Sequence, residues 1–183
     1  MRRRLMNYYR YRPDANNYAG IGVPHEDDAR VTKVHYTDEP LLDSWTPPVA
    51  FEFEDNPPKQ GDFPSLSNFW RIPVMSQRAW DALQPLIGYC CEALPIIHPS
   101  GKPYYIIHVM ETIDALDEER SELTRNRVTG RVNRIYRYAL KPELLRAKHI
   151  FKLPRESGGE LLVDDAFRAA VEEHGLKGLL FNP

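Results

Sequence analysis

The stretch that most restricts the fold runs from Phe69 to Ile97, FWRIPVMSQRAWDALQPLIGYCCEALPII. It reads as strand, capped helix, strand. Phe69, Trp70, Ile72 and Val74 form a short apolar run, and Pro73 places it at a sheet edge or a bend. Ser76 stands where an N-cap belongs, its hydroxyl able to accept from an otherwise unpaired backbone N–H. Ala79, Trp80, Leu83 and Ile87 follow at helical spacing, and Gly88 predicts a left-handed stop. Pro85 should shorten or kink the last turn. YCCEALPII then gives an apolar run of strand length, ended by Pro95.

Upstream, Met6 to Tyr11 reads as a strand, Asp14 to Pro24 as turns, and Val31 to Tyr36 as a second strand. In VAFEFE, Val49, Phe51 and Phe53 alternate with Ala50, Glu52 and Glu54, the pattern of a half-buried strand with its apolar side inward. Downstream, YYIIHVM (residues 104–110) is apolar on both faces and reads as a central strand. Asp114 to Arg120 is an acidic turn or short helix, and Val128-Thr129-Gly130-Arg131 links two strands of a hairpin. On the returning strand Val132, Arg134, Tyr136 and Tyr138 should share a face. Pro142 should open a short helix to Ala147, and two strands, His149–Leu153 and Glu160–Val163, should follow. Asp164 then caps a second helix, Gly175 closes it ahead of Leu176, and Gly178 to Phe181 ends the fold as a strand.

These elements predict an α+β fold: one domain over residues 1–183, a mostly antiparallel sheet, and two main helices (76–87 and 164–174) packed on it. Trp80, Leu83, Phe167 and Val171 should be largely buried. The formal charge of -2 gives no net pull toward nucleic acid or anionic membrane. No apolar run approaches the ~20 residues of a membrane helix. The start, MRRRLMNYYRYRP, lacks the apolar core of an export signal, so cytoplasmic residence is the default expectation. The two cysteines are adjacent, which excludes a disulfide framework.

Candidate chemistry is sparse, and neither a catalytic motif nor a cofactor site is expected. Cys90, Cys91, His98 and His108 are the residue types of a metal site, but neighbours on a strand point to opposite faces, so no metal is expected there. Asp114, Asp117, Glu118 and Glu119 lack the glycine and alternation of a calcium loop and read as a solvated turn. No local signature makes either Cys a nucleophile.

The stretches IPVMSQRAWDAL (72–83), CEALPI (91–96), PYYIIHVMETIDALDEERS (103–121), HIFKLP (149–154), LLVDDAF (161–167) and HGLKGLLF (174–181) resemble, in order and spacing, the immunity-protein-eleven family of bacterial polymorphic toxin systems, formerly a domain of unknown function. They make residues 66–183 the family-like core, with residues 1–65 matching only loosely. The resemblance implies a protein that neutralises a cognate toxin by binding it stoichiometrically, without catalysis. Asp114 and Ser121 fall within the family pattern as turn-capping side chains.

Charge placement suggests where a partner would bind. From Pro13 to Asp62 eleven Asp or Glu face three Lys or Arg, and from Glu118 to Lys152 ten Lys or Arg face four Glu. The two regions either compensate each other within the fold or present a partner-facing patch. A nuclease toxin must be basic to hold phosphates. Its contacts would then be Glu26, Asp27, Asp28, Glu52, Glu54 and Asp55, with Tyr8, Tyr9, Tyr36 and Trp45 as aromatic anchors. Two alternatives stand beside this reading: a nucleic-acid-binding module using the arginine-rich 125–148 stretch, and an uncharacterised small enzyme. Nucleic acid is the weaker partner, because strand alternation puts half of those arginines on the opposite face; no membrane partner is expected, and homo-oligomerisation stays open.

Overall fold

The computed structural model describes residues 7–182, which form three α-helices and twelve short strands. The first half holds β1 (Tyr8–Arg10), β2 (Arg12–Pro13), β3 (Ile21–Gly22), α1 (Asp28–Tyr36), β4 (Phe51–Glu52), β5 (Val74–Ser76) and α2 (Gln77–Ile87). Then come β6 (Cys91–Ile96), β7 (Tyr104–Val109) and the hairpin β8 (Glu122–Arg125) and β9 (Val132–Arg137). The chain ends with β10 (Ile150–Lys152), β11 (Leu161–Asp164), α3 (Asp165–Glu173) and β12 (Leu179–Leu180). The α+β class and the antiparallel strand pairing agree with the sequence reading. The single sheet does not: the strands form five small sheets, the larger two ordered β5-β7-β6 and β1-β11-β10. The third helix, α1, lies where a strand is predicted, and the Met6 end of the first predicted strand lies outside the described residues.

The local signals at α2 and α3 act as their chemistry dictates. Ser76 Oγ accepts from Ala79 N–H at 3.1 Å and donates to Asp62 at 2.7 Å. Asp62 also accepts from Lys177 N–H at 2.9 Å, so one buried carboxylate fastens the start of α2 to the C-terminal segment. Asp164 accepts from Phe167 N–H at 2.9 Å and caps α3, while its other oxygen holds His149 Nδ1 at 2.8 Å. At the far end Leu176 N–H bonds Val171 O and Gly175 N–H bonds Glu172 O, with Gly175 at φ 59°, a complete Schellman motif.

Other local readings are revised. Phe69 to Ile72 turns twice, with Phe69 N–H on Leu66 O and Ile72 N–H on Phe69 O, so the strand begins only at Val74. Gly88 keeps a right-handed φ of -63°, and α2 runs through Pro85 to Ile87. Pro95 pairs with Tyr105 inside β6 instead of ending it, which the outer strand of a three-stranded sheet permits. Register shifts in the β8–β9 hairpin bury Val132 and Ile135 together, so Val132, Arg134, Tyr136 and Tyr138 do not share one face. The segment from Pro142 is a single 3-10 turn ending at Leu144.

The core follows β7. Ile107 and Val109 pack with Ala79, Leu83 and Ile87 of α2 and Phe167 and Val171 of α3. Ile106 and Tyr104 face the opposite way, with Val31 and Val34 of α1 and Ile21, Ala50 and Leu66. A third cluster joins Ile135, Leu145, Phe151 and Leu162 beneath the β8–β9 hairpin. His108 is buried on the α1 side, its ring between Glu92 Oε2 at 3.1 Å and the Thr37 carbonyl at 3.0 Å. Lys152 Nζ donates to the His35 and Thr37 carbonyls at 3.1 and 3.0 Å and pairs with Asp38 at 2.9 Å. A cation at the carbonyl end of a helix is favourable, so this knot holds α1 onto the sheets.

Two predictions follow from the packing. Leu83, Phe167 and Val171 are buried as expected, but Trp80 is only partly so. Phe167→Ala should therefore cost about 3–5 kcal/mol in urea unfolding, and Trp80→Ala distinctly less; equal or greater loss from Trp80→Ala would contradict this packing. Burial, then Lys152 and Arg71, lower the His35 pKa from 6.5 to about 4. The folded state thus resists protonation, so the neutral ring's contribution is full above pH 6.5 and is lost as pH falls toward 4. Relative to His35→Gln, the wild type should lose stability across that window; a difference that stays flat would contradict the assignment.

Candidate functional site

The segment 48–56 forms a ribbon bound to the fold along its length. Ala50 N–H bonds Ile97 O and Ile97 N–H bonds Pro48 O, each at 2.9 Å. β4 pairs with β3, setting Phe51 opposite Gly22 and Glu52 opposite Ile21. At the far end Asn56 donates to Gly20 O at 2.8 Å and accepts from Gly20 N–H at 3.2 Å. These bonds fix which way the side chains point. Ala50 enters the core, and the alternate residues face solvent: Val49 is 56% exposed, Phe51 43% and Phe53 37%, with Ile97 beside Val49 at 55%.

The apolar side is thus not the inner one: of residues 49–55 only Ala50 is buried, and Phe51 through Asp55 are exposed on both faces. Period-two alternation separates two faces but does not say which one meets the core. Phe51 and Phe53 lie edge to face with ring centroids 5.3 Å apart, over Gly22. A Cβ at position 22 would come within 2.5 Å of the Phe51 ring and 3.0 Å of the Phe53 ring. Only glycine lets both rings lie down there. An ordered aromatic pair already fixed in place gives up little entropy on contact with a partner.

Carboxylates border these rings. Glu52, Glu54 and Asp55 are exposed; Glu52 accepts from Gln60 at 2.7 Å, and Glu54 and Asp55 take part in no hydrogen bond or ion pair among the described residues. Glu52 also opposes the burial that lowers the pKa of His98. Glu26, Asp27 and Asp28 begin four residues after Gly22, at the start of α1, where negative charge complements the helix dipole. Glu26 is exposed, whereas Asp27 is paired with Arg30 and Asp28 with His25. Arg30 lies over Trp45, whose indole N–H donates to Pro95 O at 2.8 Å, two residues before Ile97. A chain of contacts thus connects the 26–28 carboxylates with the ribbon.

The aromatic candidates separate. Tyr36 is exposed, with Arg155 over its ring. Trp45 is half-buried and holds its own loop against β6. Tyr9 is buried, with its hydroxyl donating to Asp165 at 2.9 Å, and Tyr8 is half-buried, donating to Leu145 O at 3.3 Å. Burial, then Asp164 and Asp165, raise the Tyr8 pKa to about 12. Both line a groove of about 1540 Å³ between β1 and the β8–β9 hairpin.

The cysteine geometry corrects the sequence argument. Cys90 precedes β6, so strand alternation does not apply, and the two buried sulfurs approach to 3.8 Å. Contact with Cys90 and burial push the Cys91 thiol up. His98 stacks on Tyr104 and bonds Ser100, and His108 is held by Glu92 and Thr37, so both rings are engaged by groups other than the thiols. Among the described residues no three His, Cys, Asp or Glu side chains gather as metal ligands, and no helix is long and apolar enough to cross a membrane.

Residues 97–183, a little under half of the chain, match the model of the Immunity protein family (Imm11). The match takes in the 103–121, 149–154, 161–167 and 174–181 stretches on which the resemblance rests, and begins just after those at 72–83 and 91–96. Of the ribbon surface it includes Ile97 alone. No curated protein matches the chain.

The seating of the two rings can be tested directly. Gly22→Ala must displace Phe51 and Phe53, but both rings are partly exposed and can shift toward solvent, so the stability cost should stay within about 1 kcal/mol. Chemical shifts around residues 22, 51 and 53 should move in NMR spectra while those of the β7 core do not. A cooperative loss of the fold would show that the rings are structural.

Proposed function

We propose that this chain is an immunity protein that binds one cognate bacterial toxin and blocks it stoichiometrically, with no turnover of its own. The observation that carries the reading is the family match over residues 97–183. The ribbon supplies a suitable contact: four exposed apolar side chains on a hydrogen-bonded frame, bordered by carboxylates. Monomer surfaces rarely leave such residues grouped without a partner. In this account residues 1–183 act as one domain in the cytoplasm, where a toxin must be met before it reaches its target.

The chemistry of the surface specifies the partner. Phe51 and Phe53 would be the anchors, with Val49, Ile97 and Tyr36 extending the contact. Glu26, Glu52, Glu54 and Asp55 would steer a basic toxin by long-range attraction, and a nuclease has the required charge because it must hold phosphates. Occlusion of its active cleft by this ribbon then explains inhibition without a catalytic constellation. Tyr8, Tyr9 and Trp45 would contribute through the scaffold, since their polar atoms are used within the fold.

Titration of the purified toxin encoded beside this chain tests the mechanism. Toxin activity should fall linearly and vanish at one equivalent. Reversing Glu26, Glu54 and Asp55 together should raise Kd by about tenfold at low salt and by less as salt rises. Phe51→Asp with Phe53→Asp should abolish protection while the fold persists. Full inhibition far below one equivalent, or toxin left covalently changed after this protein is removed, would establish an enzyme and overturn the binding mechanism.

A further inference from the structure

The groove beside β1 has a chemistry opposite to that of the ribbon. Arg10, Arg120, Arg137, Arg146 and Arg168 line it, against Glu122 and Glu143. Arg10 is held over the Tyr138 ring at 5.7 Å, and Arg168 over Tyr9 at 5.4 Å and Phe181 at 5.8 Å. Arg168 is neutralised by Glu172 at 2.8 Å. The guanidinium groups of Arg120, Arg137 and Arg146 take part in no hydrogen bond or ion pair among the described residues. Three unpaired guanidinium groups around one concavity form a receptor for carboxylate or phosphate oxygens.

Size and backbone geometry narrow the ligand. At about 1540 Å³ the groove exceeds the range typical of small-molecule sites and suits a length of chain. Its floor includes β1, an outer strand of the β1-β11-β10 sheet, so among the described residues the edge away from β11 is unpaired over Tyr8–Arg10. An extended peptide can add to such an edge through main-chain hydrogen bonds. A single-stranded nucleic acid instead needs open aromatic faces for its bases. Tyr9 is buried, Tyr138 lies under Arg10, and the one exposed ring, Tyr136, lies under Arg134 at 5.0 Å.

We infer that this groove receives an acidic peptide segment of a partner protein, laid along the β1 edge with its carboxylates on Arg120, Arg137 and Arg146. The inference draws on neither the ribbon nor the immunity reading, and it stands or falls without them.

The test is fluorescence anisotropy of a labelled poly-glutamate peptide of about ten residues, with an oligothymidylate of similar length and a poly-lysine peptide as comparators. Poly-glutamate should bind saturably and poly-lysine should not. Arg137→Glu with Arg146→Glu should weaken binding by about tenfold or more, whereas Arg127→Glu, at the exposed hairpin tip, should leave it nearly unchanged. Amide exchange at Tyr8–Arg10 of the wild-type protein should slow on adding the peptide, a readout that needs no variant to fold. Absence of saturable poly-glutamate binding, equal loss from Arg127→Glu, or unaltered exchange along β1 would overturn the assignment. Tighter binding of the oligothymidylate at the same salt would overturn it in favour of nucleic acid.

Discussion

The fold depends on β7 being buried on both faces. Ile107 and Val109 on one side hold the two capped helices, and Tyr104 and Ile106 on the other hold α1 and the loops leading to the ribbon. Its backbone pairs with β6 over its whole length and with β5 over Tyr104–Ile106, and Ile107 N–H bonds Pro73 O, so most of its donors and acceptors are used within the sheet. The polar exception, His108, finds a carboxylate and a carbonyl that belong to the elements it faces. That contact joins β7, β6 and the end of α1 through a single ring. Loss of β7 would release both helical layers and the frame of the ribbon together.

From this hub the proposed binding surface is reached in few steps. β7 pairs with β6, whose last residue, Ile96, is followed by Ile97 against Val49. Ala50 sits in the same cluster as Ile106 and fixes the orientation of the ribbon. Because Ala50 points inward, Val49, Phe51 and Phe53 point outward, and among the described residues they stay partly exposed. The surface is thus hydrogen-bonded to the fold, apolar at its centre and negative at its edge. A tight interface against a cationic protein is built in that way.

Sequence pattern was a good guide where a local interaction decides the conformation. Ser76 and Asp164 cap helices because their side chains reach N–H groups three residues on, and Gly175 closes α3 because it alone is cheap in the left-handed region. β7 was legible because a strand buried on both faces is apolar throughout. Val31 to Tyr36 misled because its β-branched residues favour extended chain, while Val31 and Val34, three apart, gain more by packing a helix face against the β7 side of the core. Alternation in the ribbon predicts a half-buried strand, but its bonds to Ile97 and Gly20 bury Ala50 and leave residues 51–55 exposed on both faces. Of the basic groove only the charge excess over residues 118–152, the source of Arg120, Arg137 and Arg146, is legible in the sequence; its walls unite β1, the hairpin and α3, segments distant in sequence.

The most direct measurement of the central claim is hydrogen exchange by mass spectrometry on this chain, free and mixed with the proposed cognate toxin. Binding through the preformed ribbon requires slower exchange in residues 48–56 and around Ile97, with β7 already protected in the free protein and unchanged in the complex. Protection confined to other surfaces, with residues 48–56 exchanging as fast in the complex as alone, would contradict the account.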